Sequence, residues 1–337
     1  MQIIDVSIEI EKLDQDALIR IEKFFSLFSK TYNQIKVEYF LADHAEVEKK
    51  DLKNLFAIEK KLSDFDNVRF FSTIQTRITH INPSWVSFIN KNKIGVRLVA
   101  SLYNDLHLLK KIKTEKEVLI EKDEDNSILA IYNSVKIYKT PIGFINKDNY
   151  SSLINSKYGL EQYMELFEPW MNDVEGVMVT NFIPFIDSNL GGSYNICFND
   201  SCLGKRFHLS KEGQVYTCQK SCFKQCCYGD ILSMSGLNDI YESELFYSLV
   251  EQSLKRRQSC SKCEHFNNCQ GGCFNDSLLK NKDVTKVDKD YCNNYQKFMK
   301  YVKEKIDYHF NNNTNLKELN PSIREILINS LKMDIRL

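Results

Sequence analysis

All eleven cysteines of the chain lie between Cys197 and Cys292, and residues 1–196 contain none. Cys197, Cys202 and Cys218 come first, with Gly213 between the last two; after a gap follow Cys260, Cys263, Cys269, Cys273 and finally Cys292. Two thiolates separated by two residues, as at Cys260 and Cys263, can turn both sulfurs toward one metal ion or one cluster edge. Three chemistries compete for such a block. Disulfides need an oxidising compartment, and the start Met1-Gln-Ile-Ile-Asp has neither the basic nor the apolar region of a secretory signal. An odd cysteine count also leaves one thiol over. Zinc would be satisfied by Cys260, Cys263, Cys269 and Cys273 alone. Iron–sulfur clusters use the same thiolates but favour more ligands on longer loops. Spacing alone leaves all three open.

The elements that must hold these thiols are legible in part. Residues 2–10, rich in β-branched side chains, read as a strand, and Asp14 can cap a helix that presents Leu18, Ile21, Phe25 and Phe28 on one face. Strands are expected over 35–40, 68–74, 93–100 and 118–121, and helices over 46–62, 83–90 and 103–113. Strand followed by helix at intervals of about thirty residues means parallel strands with right-handed crossovers. The architecture expected is an open, partial (β/α) barrel, with working residues where strands end. Further on, the reading gives strands over 128–132, 135–138 and 176–181, a helix over 160–172, and a loop at 187–192 leading into the cysteines. Gly213, after Lys211-Glu212, supplies the positive φ of a hairpin turn between strands at 207–209 and 215–218. Helices are expected over 237–256 and 291–310, the second amphipathic and suited equally to a core or a partner, followed by a polar linker at 311–315 and a short terminal helix.

The pattern Cys202-x10-Gly213-x4-Cys218, Cys260-x2-Cys263-x5-Cys269-x3-Cys273, Cys292 resembles the seven-cysteine SPASM domain of radical SAM peptide maturases at every interval. The resemblance implies two auxiliary [4Fe-4S] clusters. Carried over by position, Cys202, Cys218 and Cys273 with Cys197 would ligate the first, and Cys260, Cys263, Cys269 and Cys292 the second. It covers residues 191–300 strongly and 1–180 weakly. It implies an α/β chain with a radical-SAM-like partial barrel at 1–190, a SPASM iron–sulfur domain with a β-hairpin and helices at 191–310, and a C-terminal linker and helix at 311–337. Against the family's pattern, the Cys-x3-Cys-x2-Cys loop after the first strand is missing; Glu11-Lys12-Leu13 stands there, and Leu41-Ala42-Asp43-His44 replaces the family's Gly-Gly-Glu segment. Gln219 occupies the position where some peptide-oxidising relatives carry a basic aspartate, and an amide cannot accept that proton.

The expected function is therefore a pseudoenzyme partner in ribosomal peptide maturation. It would bind a precursor peptide or pass electrons for a true radical SAM maturase encoded nearby, with SAM itself not expected to bind. A split radical SAM enzyme and a zinc-stapled structural module are the alternatives. With 45 basic and 45 acidic side chains, no net field favours nucleic acid. No apolar run reaches a membrane span, so a cytoplasmic protein is expected. Cys222, Cys226 and Cys227 read as spare thiols, Asp43 and His44 as a solvated turn, His208 and His265 as polar loop residues, and Lys255-Arg256-Arg257 as a solvated helix end. The 21 Phe and 17 Tyr read as core.

Overall fold

The computed structural model describes residues 2–43, 45, 47–101, 106–122, 126–146, 154, 159–192, 202–312 and 315–334. Six strands, β1 (Ile3–Ile10), β2 (Gln34–Leu41), β3 (Arg69–Arg77), β4 (Gly95–Ala100), β5 (Lys116–Lys122) and β6 (Ile142–Asn146), pair in parallel in chain order. Helices α1 (Gln15–Ser29), α2 (Lys49–Asp66) and α3 (Pro83–Asn92) fill the first crossovers. Then come α4 (Ile128–Val135), α5 (Gly159–Met171) and α6 (Ile183–Asn189). A hairpin of β7 (Arg206–Leu209) and β8 (Gln214–Tyr216), joined by β9 (Cys227–Asp230), extends the same sheet. The strand order is β6-β5-β4-β3-β2-β1-β7-β8-β9, and β7 runs parallel to β1 with Ile8 opposite Leu209. The fold is the expected α/β partial barrel, and the hairpin between Cys202 and Cys218 is built into the barrel's own sheet.

The alternation of side chains explains the layering. On β1, Ile4, Val6, Ile8 and Ile10 are buried in one cluster with Phe24, Phe25 and Phe28 of α1 and Leu52 and Leu55 of α2. The residues between them, Asp5, Ser7 and Glu9, must point to the opposite, concave face. Asp14 caps α1 as expected, accepting from the Ala17 amide at 2.9 Å. Gly213 at the hairpin turn has φ +91°, a backbone conformation that favours glycine, and a Cβ there would also displace the Arg20 side chain.

Several expectations are corrected. Residues 128–132 and 135–138 are not strands: Ser127 accepts from the Ala130 amide, and α4 buries Ile128, Ile131, Tyr132 and Val135 at three- and four-residue spacing. That packing overrides the β-branched bias. Residues 176–181 contribute one bridge, Val179 to Ile142, while the neighbouring strand β6 has no counterpart in the sequence reading. The helix Ile183–Asn189 runs into the first three residues of the loop expected at 187–192, and the expected helix at 103–113 is a short 3-10 segment, His107–Lys111, with 102–105 outside the described residues. The helix over 237–256 divides into α7 (Asn238–Tyr241) and α8 (Glu244–Ser259), because Ser243 caps the second. After α9 (Phe266–Cys269) and α10 (Phe274–Asn281), the long α11 (Lys289–Asn311) settles the ambiguity of its apolar face: it packs on α5 and α6. Phe298 meets Phe185 edge-on at 4.8 Å between ring centres and also touches Tyr163, Phe167 and Phe182. The terminal α12 (Pro321–Asp334) follows.

Glu59 on α2 is a carboxyl of the outer core whose titration is displaced far upward: burial raises it to about 7, against the opposing donations of Ser72 at 2.6 Å and Tyr39 at 2.5 Å. A carboxyl with a raised folded-state pKa contributes stability that is complete below its unfolded value and lost as pH rises through the folded value. Wild-type stability is therefore expected to fall by about 2 kcal/mol between roughly pH 5.5 and pH 8. Chemical denaturation of Glu59→Gln, compared with wild type at both pH values, should show that slope removed.

Candidate functional site

Parallel pairing brings the C-terminal ends of the strands to one edge, and a cavity of about 550 Å³ opens there. Its walls carry Glu9 from β1, Asp43 beyond β2, Arg77 from β3, and His208, Gln219 and Cys222 from the hairpin side. Arg77 organises one wall. Its Nε donates to Asp43 Oδ1 at 2.7 Å, and its Nη1 and Nη2 donate to the two oxygens of Glu121, at the end of β5, at 2.9 and 3.1 Å. These carboxylates hold the guanidinium above its ordinary pKa, Glu121 contributing most. Asp43 is thus an ion-pair partner of the cavity wall rather than a free solvated turn; His44 lies outside the described residues. Deeper in the concave face, Arg97 pairs with Glu38 and with Glu117, the latter at 2.8 Å.

His208 is buried and its Nδ1 shares a hydrogen with Ser7 Oγ at 3.0 Å. Burial pushes its pKa down to about 4, so the imidazole is neutral at physiological pH. It is an inward-facing strand residue, not a polar loop residue as expected. Cys222 is exposed at the same cavity, and burial of its sulfur together with Glu9 pushes its thiol up to about 12, so it stays protonated. Arg256 also departs from expectation: it is fully buried on α8 and donates to the Val284 carbonyl at 2.9 Å.

The second half gathers its thiols from element ends. Cys260 caps the C-terminus of α8, Cys269 ends α9, Cys292 lies in the first turn of α11, and Cys263 lies in the loop between α8 and α9. All four line one small cavity with His265, Phe266, Tyr295 and Gln296. Burial pushes Cys269 up to about 11, with further contributions from Cys292 and Cys260; burial, then Cys260 and Cys263, raises Cys292. Thiols so placed ionise together only when a cation offsets their charge. The donor set therefore fits a metal group. A single zinc ion needs its sulfurs about 2.3 Å from one point. Among the described residues no three His, Cys, Asp or Glu side chains are drawn together that way. The four sulfurs instead border a shared space.

The other expected set is placed in part. Cys218 and Cys273 are buried, the first at the end of β8 and the second capping α10. Asn275, two residues past Cys273, reaches Cys218 Sγ at 3.3 Å, and Cys202 packs on the small cluster that contains Phe274 and Cys226. Cys197 lies outside the described residues. Glu9 and Arg77, which line the candidate cavity, and Glu121, which holds Arg77, are not singled out by the sequence reading. Their signal is present as polar residues at alternate positions near the ends of otherwise apolar parallel strands, where a sheet buried on both faces would read as continuously apolar.

A partial barrel with a polar strand-end cavity and two groups of thiols has solved counterparts. A structure described as native anSMEcpe with bound AdoMet superposes with a TM-score of 0.74 at 20% identity, covering 91% of this chain and 99% of that one. Native anSMEcpe with bound AdoMet and Kp18Cys peptide gives a TM-score of 0.75 at 20% identity, covering 92% and 99%. The two proteins share one fold. By sequence, the chain is 22% identical over 285 residues to a cysteine-type anaerobic sulfatase-maturating enzyme of Clostridium perfringens, covering 74% of this chain and 76% of the relative. It is also 22% identical over 281 residues to the corresponding enzyme of Clostridium novyi, covering 72% and 74%. No family model matches. These similarities agree with the resemblance to radical SAM peptide maturases, but they do not show the chain to be degenerate. They also weigh against the expectation that SAM does not bind, since solved proteins of this fold are described with AdoMet bound. What residues 1–196 lack is cysteine.

The Arg77 wall makes a direct prediction. Glu121 is buried and Asp43 largely exposed. Glu121→Ala should cost roughly 2–3 kcal/mol by stranding a half-buried guanidinium, and Asp43→Ala less than about 1 kcal/mol, as read by urea denaturation.

Proposed function

We propose that this chain is a cluster-bearing SPASM-type protein of ribosomal peptide maturation. It acts in the cytoplasm beside an intact radical SAM maturase, to which it lends peptide binding or electron transfer. In this reading residues 1–190 form the ligand-holding half-barrel and 191–310 the cluster-bearing part. Cys260, Cys263, Cys269 and Cys292 hold one four-iron cluster; Cys202, Cys218 and Cys273, with Cys197, hold the other. When bound, such clusters supply one-electron transfer.

The observation that carries the proposal is the contrast between the two ends of the molecule. Four thiols from separate elements line one cavity, and their SPASM-like spacing favours a multi-iron cluster over one zinc ion. At the end of β1, however, the chain passes through Glu11, Lys12, Leu13 and Asp14 into α1, and each charged group there is engaged: Glu11 with Lys211 at 3.0 Å and Lys12 with Asp14 at 2.6 Å. Residues 1–196 supply no cysteine to that junction, and among the described residues Cys222 is the thiol that lines the neighbouring cavity. The peptide partner is supported by the solved neighbours described with bound Cp18Cys and Kp18Cys peptides.

Anaerobically prepared protein is expected to co-elute with the precursor peptide and the radical SAM enzyme encoded beside it. Cys263→Ser should lower its iron content by about half, and Cys222→Ser should leave it unchanged. Formation of 5′-deoxyadenosine from SAM and dithionite by this chain alone would overturn the proposal.

A further inference from the structure

Several N–H groups aim at the proposed ligand sulfurs, among them the backbone amides of Gly271 and Gly272 at Cys269. The backbone amide of Lys220 and the side-chain amide of Asn275 both reach Cys218 Sγ at 3.3 Å. At the other group, Gln296 Nε2 lies 3.4 Å from Cys292 Sγ and 3.8 Å from Cys263 Sγ. Each thiol group thus has one carboxamide turned toward it, from a helix that also carries one of its cysteines or the residue capping it: Asn275 on α10 behind Cys273, Gln296 on α11 one turn after Cys292.

The two amides differ in surroundings. Asn275 is fully buried, and among the described residues its Oδ1 has no hydrogen-bond partner, so there its N–H and its packing hold the side chain. A buried amide with an orphaned oxygen is costly unless its N–H meets a strong acceptor. A neutral thiol is a weak acceptor and the anionic sulfur of a metal thiolate a strong one. Gln296 is exposed, and water can take its place.

Resting on the cluster reading above, we infer that Asn275 and Gln296 set the electron affinity of the two clusters, Asn275 for the one bound through Cys218 and Gln296 for the one bound through Cys263 and Cys292. An N–H dipole pointing at a ligand sulfur stabilises the added negative charge of the reduced state, and so raises the reduction potential. The effect is larger where water is excluded. Asn275 therefore acts more strongly than Gln296, and the two clusters differ in potential in a way that this chain's own amides control.

The test is an EPR-monitored potentiometric titration of the anaerobically reconstituted full chain, with iron and sulfide counted first. Asn275→Leu should shift one cluster to lower potential and leave the other in place. Gln296→Leu should shift only the other, by less. If the buried leucine prevents reconstitution, Asn275→Ala removes the donor without added bulk and should give the same downward shift. Two clusters present in every variant with neither potential moved would overturn the inference while leaving the cluster reading intact. An unsubstituted chain that takes up no iron would overturn both.

Discussion

Strand β1 has a parallel neighbour on each side, β2 and β7. The pairing with β7 ties residues about 200 positions apart in the chain into one sheet, and it fixes what stands around the strand-end cavity. Ile8 opposite Leu209 sets the register that brings His208 beside Ser7 and carries the hairpin down to Cys218. Because backbone hydrogen bonding and the buried outer face both depend on that register, a slip of one residue would turn Ser7 and Glu9 into the helical layer and expose Ile8. The thiol-bearing part is thus a continuation of the barrel, and whatever it holds is positioned relative to the cavity by sheet geometry.

A second docking closes the arrangement. Helix α11 buries Tyr295, Phe298, Val302 and Ile306 in the core formed with α5 and α6, and its first turn carries Cys292. The docking of that helix through Phe298 sets Cys292 beside Cys260, Cys263 and Cys269 in one cavity. The thiol group near α9 is therefore held from both halves, whereas the junction between β1 and α1 is closed by short-range ion pairs and by Arg20, which donates to the Lys211 carbonyl at 3.3 Å under Gly213. The molecule gathers four thiols at one end and lines its strand-end cavity mainly with polar side chains, together with Cys222.

What can be read in the sequence follows from local physics. The first five parallel strands, the Asp14 cap and the Gly213 turn depend on periodicity and backbone preference within a few residues. The four thiols around Gln296 are grouped by the SPASM resemblance, and the structure gathers them in one cavity. The failures are of two kinds. Ile128–Val135 carries a β-branched composition whose helical form is decided by burial against distant elements. Arg77 lies 34 residues from Asp43 and 44 from Glu121, and only the strand register makes them one wall. His208 escapes a local reading for the same reason: its partner, Ser7, lies 201 residues away.

The central claim is that this chain holds metal through its second half and none through the start of its barrel. Iron and acid-labile sulfide content, with low-temperature EPR in the presence and absence of SAM, tests it most directly on anaerobically reconstituted protein. The account predicts about eight irons per chain in two four-iron clusters, with neither spectrum changed by SAM. A third cluster whose signal responds to SAM would contradict it.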